Sequence, residues 1–121
     1  DSVFDGCTSL EEVGKNMLVS PVKLTSVANL FRDCGMLRSV PVSLFDKAVK
    51  LKTLTSTFQG CASLEGESPY TVVDGVKYHL YDRTAENAAA SGLTAITAAK
   101  SSFAGCTKLS DYDKIPTTWK E

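Results

Sequence analysis

The chain has 121 residues, of which 43% are hydrophobic and 22% are charged, proportions that are usual for one folded globular domain. Thirteen basic and fourteen acidic residues give a net charge of −1, which argues against a nucleic-acid partner because no basic stripe is available to neutralise phosphates. The apolar runs are too short to span a bilayer, so direct membrane insertion of this segment is not expected.

A seven-residue motif, Phe-x-Gly-Cys-x-x-Leu, occurs four times, and its copies start at residues 4, 31, 58 and 103. The first three copies are spaced by 27 residues, and the last two by 45 residues, which is the same spacing plus 18 inserted residues. All four cysteines of the chain fall in this frame, so the repetition is not a chance similarity. We expect the motif residues to form buried columns, namely Phe4, Cys7, Leu10, Phe31, Cys34, Leu37, Phe58, Cys61, Leu64, Phe103, Cys106 and Leu109.

One 27-residue unit cannot bury its own apolar edge, whereas stacked units bury a continuous one. The sequence therefore predicts a single α/β solenoid domain over residues 1–121, with short strands at 10–13 and 24–27 and at the equivalent positions of later units. The turns between these strands are expected to be 3₁₀ or helical. The third motif position, occupied by Gly6, Asp33, Gly60 and Gly105, suits a left-handed backbone conformation.

An insertion at about residues 69–92 interrupts the repeat. Two runs of strand-forming residues, 70–73 and 76–81, flank Asp74-Gly75, which is a strong signal for a two-residue hairpin. Asp82 is then expected to cap a short alanine-rich helix that continues through Ser91 and stops at Gly92.

The two ends of the chain differ. Residues 110–121 carry Tyr112, Ile115 and Trp119, which predicts a cap over the last repeat. The first repeat starts almost at once, so its segment 10–13 is expected to be an unpaired edge through which the chain self-associates. We interpret the chain as the C-terminal part of a longer protein.

The motif, together with a Val-Pro step such as Val40-Pro41, resembles the repeats of the BspA-like leucine-rich-repeat family of bacterial surface proteins. The resemblance implies a leucine-rich-repeat solenoid at the cell surface or secreted, with an adhesive or host-interaction role. The unit here is longer than the family's and the copy number is low, so the resemblance does not identify a partner.

The cysteines lie 27 or 45 residues apart, which does not fit the close ligand spacing of a metal site. We expect buried, reduced thiols that act as small apolar side chains, with a disulfide between stacked neighbours as the alternative. Neither a metal nor another cofactor is predicted.

Candidate catalytic groups are few. His79 is the chain's one histidine, no nucleophile accompanies it in a recognisable motif, and strand alternation predicts that it faces solvent. Asp111 and Asp113 lack the further ligands of a calcium loop and are expected to cap a helix or to lie in a solvated turn. The sequence therefore indicates a protein that is not an enzyme, with no catalytic residues.

The residues most suited to binding are in the insertion, where Tyr70, Tyr78, His79 and Tyr81 combine contact area with hydrogen-bonding groups. We expect a non-catalytic protein-interaction or adhesion module that uses these residues. Two alternatives remain at this point, a carbohydrate-binding module with Tyr and Trp platforms and a purely structural spacer or cap. The partner, protein or glycan, is not identified by the sequence.

Overall fold

The computed structural model describes residues 6, 9–14, 18 and 21–121. Two strands, β1 (Tyr70–Val73) and β2 (Val76–His79), form an antiparallel pair, and one helix, α1, spans Ala88–Ser91. The remaining regular elements are 3₁₀ turns at Pro21–Lys23, Leu80–Asp82, Tyr112–Lys114 and Thr117–Lys120.

The predicted α/β solenoid of the leucine-rich-repeat type is wrong. Among the described residues, the only sheet is the open two-stranded hairpin, and there is little helix. The segments expected to be strands form isolated bridges, such as Ser26 with Thr53. The physical reason is that the backbone turns three residues after the bridged positions Ser26, Thr53 and Ala98. The residues at these turns are left-handed, with φ angles of 61°, 58° and 62° at Asn29, Ser56 and Ser101.

The core is built around a column of aromatic rings. The ring centroids of Phe31 and Phe58 are 5.4 Å apart, and those of Phe58 and Phe103 are 5.2 Å apart, with nearly parallel planes. The Trp119 ring continues the column: its centroid lies 6.4 Å from that of Phe103, and the two ring planes are within 4° of each other. The other buried motif residues are Cys34, Cys61, Cys106, Leu37, Leu64 and Leu109; Leu10 is partly buried, and Phe4 and Cys7 lie outside the described residues.

The backbone conformation expected at the third motif position is confirmed. The φ angles there are 74° at Gly6, 62° at Asp33, 81° at Gly60 and 84° at Gly105. A side chain at these positions is strained by the backbone itself, which explains why the motif uses glycine and, once, aspartate.

The described cysteines are free thiols with no exposed surface, and each lies in the core. The Cys61 thiol donates to the Phe31 carbonyl at 3.1 Å, and the Cys106 thiol donates to the Phe58 carbonyl at 3.0 Å. Burial raises the pKa of Cys106 to about 12 and also raises that of Cys61. Cysteine fits this position because it is small and because its S–H satisfies a carbonyl of the neighbouring motif.

We expect Cys34, Cys61 and Cys106 to resist alkylation in the native protein, since a buried neutral thiol is a poor nucleophile. The measurement is iodoacetamide labelling at pH 8 followed by peptide mapping, with a sample in 6 M guanidinium chloride as the control. All three should be labelled only after denaturation. Labelling of any of them in the native sample at the denatured rate would contradict the buried thiol column.

The insertion folds as a hairpin that packs onto the second motif unit. Asp74 (φ 51°) and Gly75 (φ 79°) form its two-residue turn, so the hairpin prediction is confirmed, although β2 ends at His79. The helix prediction is only half right: Gly92 (φ 72°) ends α1, but the helix does not begin at Asp82. The chain leaves the helical conformation at Arg83 (φ −81°, ψ 79°), whose side chain is anchored in the core.

Candidate functional site

The hairpin has two unlike faces because successive residues of a strand point in opposite directions. The cross-strand pair Thr71–Tyr78 is buried and faces the core. The pairs Tyr70–His79 and Val72–Lys77 lie on the opposite face. The outer face therefore carries two of the predicted binding residues, whereas Tyr78 is on the inner face.

Three of the four predicted binding residues form one aromatic cluster. The His79 and Tyr81 rings are stacked, with centroids 4.9 Å apart and planes within 5°, and Tyr70 lies 5.4 Å from His79 in a tilted arrangement. The Lys77 ammonium sits 4.4 Å above the centre of the Tyr70 ring. The structure thus brings Tyr70, His79 and Tyr81 together and leaves out Tyr78.

His79 is surrounded by carboxylates, and its predicted exposure to solvent is wrong. Its side chain is 11% exposed; Nε2 lies 2.5 Å from Glu67 Oε2 and 3.7 Å from Asp111 Oδ2, and Nδ1 lies 3.2 Å from Asp82 Oδ2. Alternation along β2 places His79 on the outer face correctly, but this face is covered locally by Tyr81 and Glu67. The hydrogen bond from His79 holds the pKa of Glu67 below its usual value.

Asp111 is the buried acid of this cluster. It stands at the N-cap position of the 3₁₀ turn Tyr112–Lys114, as one of the two expectations had it, but its side chain makes no capping hydrogen bond and is not solvated. Asp113 is exposed in that turn, as expected. Its carboxylate accepts hydrogen bonds from the Ser68 N–H (2.9 Å), the Ser68 hydroxyl (2.5 Å) and the Tyr81 hydroxyl (3.0 Å). Burial alone would raise the pKa of Asp111, but the Ser68 and Tyr81 hydrogen bonds lower it overall. Burial and the nearby Asp111 charge raise the pKa of Tyr81.

Arg83 anchors the hairpin from below, and sequence reasoning did not identify it. The residue is 2% exposed, and its guanidinium donates to the carbonyls of Ala48 (2.8 Å) and Phe45 (2.9 Å). The Thr71 hydroxyl, on the inner face of the hairpin, lies 3.4 Å from Arg83 and donates to Asp46 at 2.8 Å. An arginine between a 3₁₀ turn and a loop gives no sequence signal, because its partners lie 35 and 38 residues away.

The hydrogen bonds of the cluster fix its members in place. The Ser68 hydroxyl donates to Asp111, and both imidazole nitrogens of His79 face carboxylates, so the cluster does not align a hydroxyl with the imidazole for proton transfer. Among residues 6, 9–14, 18 and 21–121, no group of three or more His, Cys, Asp or Glu side chains is arranged to hold a metal ion. The cluster links the base of the hairpin to Glu67 and Asp111 through hydrogen bonds of His79 and Tyr81.

The tip of the hairpin, in contrast, exposes apolar surface. Val72, on the outer face, is 57% exposed, and Val76, which pairs with Val73 on the inner face, is 49% exposed. The two valines flank the Asp74–Gly75 turn, so the end of the hairpin exposes one aliphatic side chain on each face. The exposed valines were not among the predicted binding residues, since a strand pattern alone does not tell which valine packs on the core. We call Val72, Val76 and the turn between them the hairpin tip.

No protein family, curated protein or solved structure that was compared with the chain matches it. In the described ranges, none of the helices has the length and apolar character needed to cross a membrane.

Proposed function

We propose that this chain is a non-catalytic protein-binding module and that the hairpin tip contacts the partner. The observation that carries the proposal is the solvent exposure of Val72 and Val76 on a hairpin whose inner face is anchored by Arg83. Exposed apolar side chains on a rigid support contribute to association because they lose water without a large loss of conformational freedom. The role as an adhesion or interaction module of a bacterial surface or secreted protein rests on the BspA-like motif.

The partner favoured by this surface is a protein with an apolar patch. The tip offers branched aliphatic side chains on a sheet of only two strands. The base of the sheet is already occupied, because the Tyr70 N–H donates to the Val42 carbonyl and the His79 N–H donates to Asp82, so contact with another protein is expected at the tip. Binding residues also concentrate on loops that a rigid scaffold supports, which describes this insertion.

The glycan alternative is less well supported because the candidate platforms are occupied. The Tyr81 ring stacks on His79 and its hydroxyl is bound to Asp111, while Lys77 covers one face of Tyr70. Trp119 stacks on Phe103 at the end of the core. A sugar-binding platform needs an open aromatic face with polar groups around it.

The double variant Val72→Glu/Val76→Glu is expected to lose protein binding without a change in melting temperature. Two charges at the tip oppose burial in an apolar interface, but they cost little in the free hairpin, where both side chains are exposed. The measurement compares proteins captured by immobilised wild-type and variant chains, identified by mass spectrometry, with affinities then measured by biolayer interferometry.

The matched control is Val22→Glu/Met36→Glu, which changes two equally exposed apolar residues outside the insertion (54% and 52%). A binder that is retained by this control and lost by the tip variant supports the proposal. A binder that the tip variant retains places the interface elsewhere. Specific signals on a glycan array, with no protein binder, would favour the carbohydrate alternative.

A further inference from the structure

A second surface lies at a column of parallel bridges, distinct from the hairpin tip. Ser26 pairs with Thr53, and Thr53 pairs with Ala98, each in parallel orientation. At each step the later segment donates to a carbonyl of the earlier one: the Lys52 N–H to Thr25 at 2.8 Å, and the Thr97 N–H to Lys52 at 2.9 Å. Because the same hydrogen-bond pattern repeats, it shows which hydrogen bonds a further parallel segment would have to make.

The hydrogen bonds that the earlier segment donates to the later one also repeat. The Val27 N–H donates to the Thr53 carbonyl (3.0 Å), and the Leu54 N–H donates to the Ala98 carbonyl (2.7 Å). At the last segment, the corresponding groups are the Thr97 carbonyl and the Ala99 N–H. Neither has a hydrogen-bond partner in the part of the chain that the structure describes. A further segment would therefore donate to Thr97 and accept from Ala99.

These two groups border a cleft of about 490 Å³ between the segment Thr97–Ala99 and Trp119. The tail covers only the neighbouring positions: the Thr118 carbonyl accepts from Ser101 (3.1 Å), and the Trp119 carbonyl accepts from Phe103 (2.8 Å). The backbone beside Ser101 and Phe103 is thus already paired, whereas the edge at Thr97–Ala99 is open.

Side-chain size adds a second feature to the cleft. Val27, Leu54 and Ala99 occupy equivalent positions in the hydrogen-bond pattern, and all three belong to the buried core. The first two are branched aliphatic residues, but Ala99 presents only a methyl group. Ala99 and Trp119 both line the cleft, whose volume is sufficient for one further branched aliphatic side chain.

We propose that this cleft binds an extended segment of a partner polypeptide by adding it as a parallel strand to Thr97–Ala99. Three residues of the partner take part. The N–H groups of the first two donate to the Thr97 carbonyl, the carbonyl of the second accepts from the Ala99 N–H, and the third carries a Val, Ile or Leu side chain that packs on Ala99. Backbone bonds give this mode its affinity, and the side-chain pocket gives it selectivity.

A second copy of the chain does not fit the cleft as a rigid body. In a copy docked through Ser26, residues 29–31 would follow the docked segment directly. Residues 29–31 are equivalent to residues 101–103, so in the docked copy they would lie against Ser101 and Phe103. That space is already filled by Thr118 and Trp119, whose carbonyls accept from Ser101 and Phe103. The cleft therefore fits a segment that pairs over about three residues and then turns away from Thr118 and Trp119.

The test is an NMR titration of the ¹⁵N-labelled chain with the acetylated and amidated peptide Leu-Lys-Thr-Leu-Thr, which has the sequence of residues 51–55. This peptide is the appropriate probe because that segment pairs in parallel along both of its edges within the chain. We expect saturable shifts of the amides of 97–99 and of the Trp119 indole. The same peptide with aspartate in place of its fourth residue should bind about tenfold more weakly or worse, since an aliphatic contact is lost.

The variant Ala99→Leu fills the cleft from within and should weaken peptide binding by about tenfold or more while the amide spectrum remains folded. Its control is Ala89→Leu, at an exposed position of α1, which should bind the peptide like the wild type. Unchanged affinity in Ala99→Leu, or shifts confined to residues away from 97–99, would overturn the proposal. Concentration-dependent self-association that Ala99→Leu abolishes would also overturn it, because the occupant would then be a second copy.

Discussion

Replacing Arg83 by methionine is expected to lower the free energy of unfolding by about 3 kcal/mol. The carbonyls of Phe45 and Ala48 would lose their charged donors in a site that water does not reach. The loss is smaller than the sum of two charged hydrogen bonds because the buried cation is itself costly; burial lowers the pKa of Arg83 to about 10, although Asp46 opposes this. Urea denaturation followed by tryptophan fluorescence measures the effect.

The control for this variant is Arg38→Met. Arg38 forms an ion pair with Glu11 at 2.7 Å, but both side chains are largely exposed, so the expected cost is about 0.5 kcal/mol or less. Hydrogen exchange should also show faster exchange in β1 and β2 for Arg83→Met than for Arg38→Met. If the two variants are equally stable, Arg83 does not anchor the hairpin.

The second large effect is expected at Asp111, where Asp111→Asn should lower the free energy of unfolding by about 2 kcal/mol at pH 7. An amide group retains one acceptor oxygen, but its NH₂ replaces the other oxygen and faces donors. The carboxylate accepts three hydrogen bonds, two from Ser68 and one from Tyr81. Losing one acceptor oxygen should therefore weaken the hydrogen bond between Tyr81 and residue 111 at the base of the hairpin.

The pH dependence of stability gives an independent readout. The pKa values of Asp111 and Glu67 are lowered in the folded protein, so their ionised forms stabilise the fold. This contribution is present above the unfolded carboxyl pKa of about 4 and is lost as the pH falls through the lowered values. Between roughly pH 5 and 3, the wild type should therefore lose more stability than Asp111→Asn, in which only the Glu67 carboxylate still contributes to the pH dependence.

Asp113→Asn is the matched control, since Asp113 lies in the same 3₁₀ turn but is exposed. Its stability at pH 7 and its acid dependence should both follow the wild type. An acid dependence of Asp111→Asn as steep as that of the wild type would show that other carboxylates cause the loss.

Several local backbone conformations follow directly from the residue types. Asp74-Gly75 specified the hairpin turn, and Gly92 specified the end of α1, because each position needs a left-handed backbone that these residues tolerate. The same reasoning identified Asp33, Gly60 and Gly105 as left-handed positions. Such conformations depend on the steric properties of the residue itself, so a sequence pattern is sufficient to predict them.

The pairing of these segments, in contrast, depends on long-range packing. A 27-residue spacing indicates which residues stack, and Phe31, Phe58 and Phe103 do stack, but it does not tell whether a bridge extends into a strand. The bridges at Ser26, Thr53 and Ala98 are each followed by a turn, so the predicted solenoid strands do not form there. The cluster around His79 could not be predicted from the sequence either, since Ser68 and Asp111 are 43 residues apart and Arg83 and Phe45 are 38 residues apart. Partners so distant in sequence are fixed by how the insertion packs on the core, which no local pattern encodes.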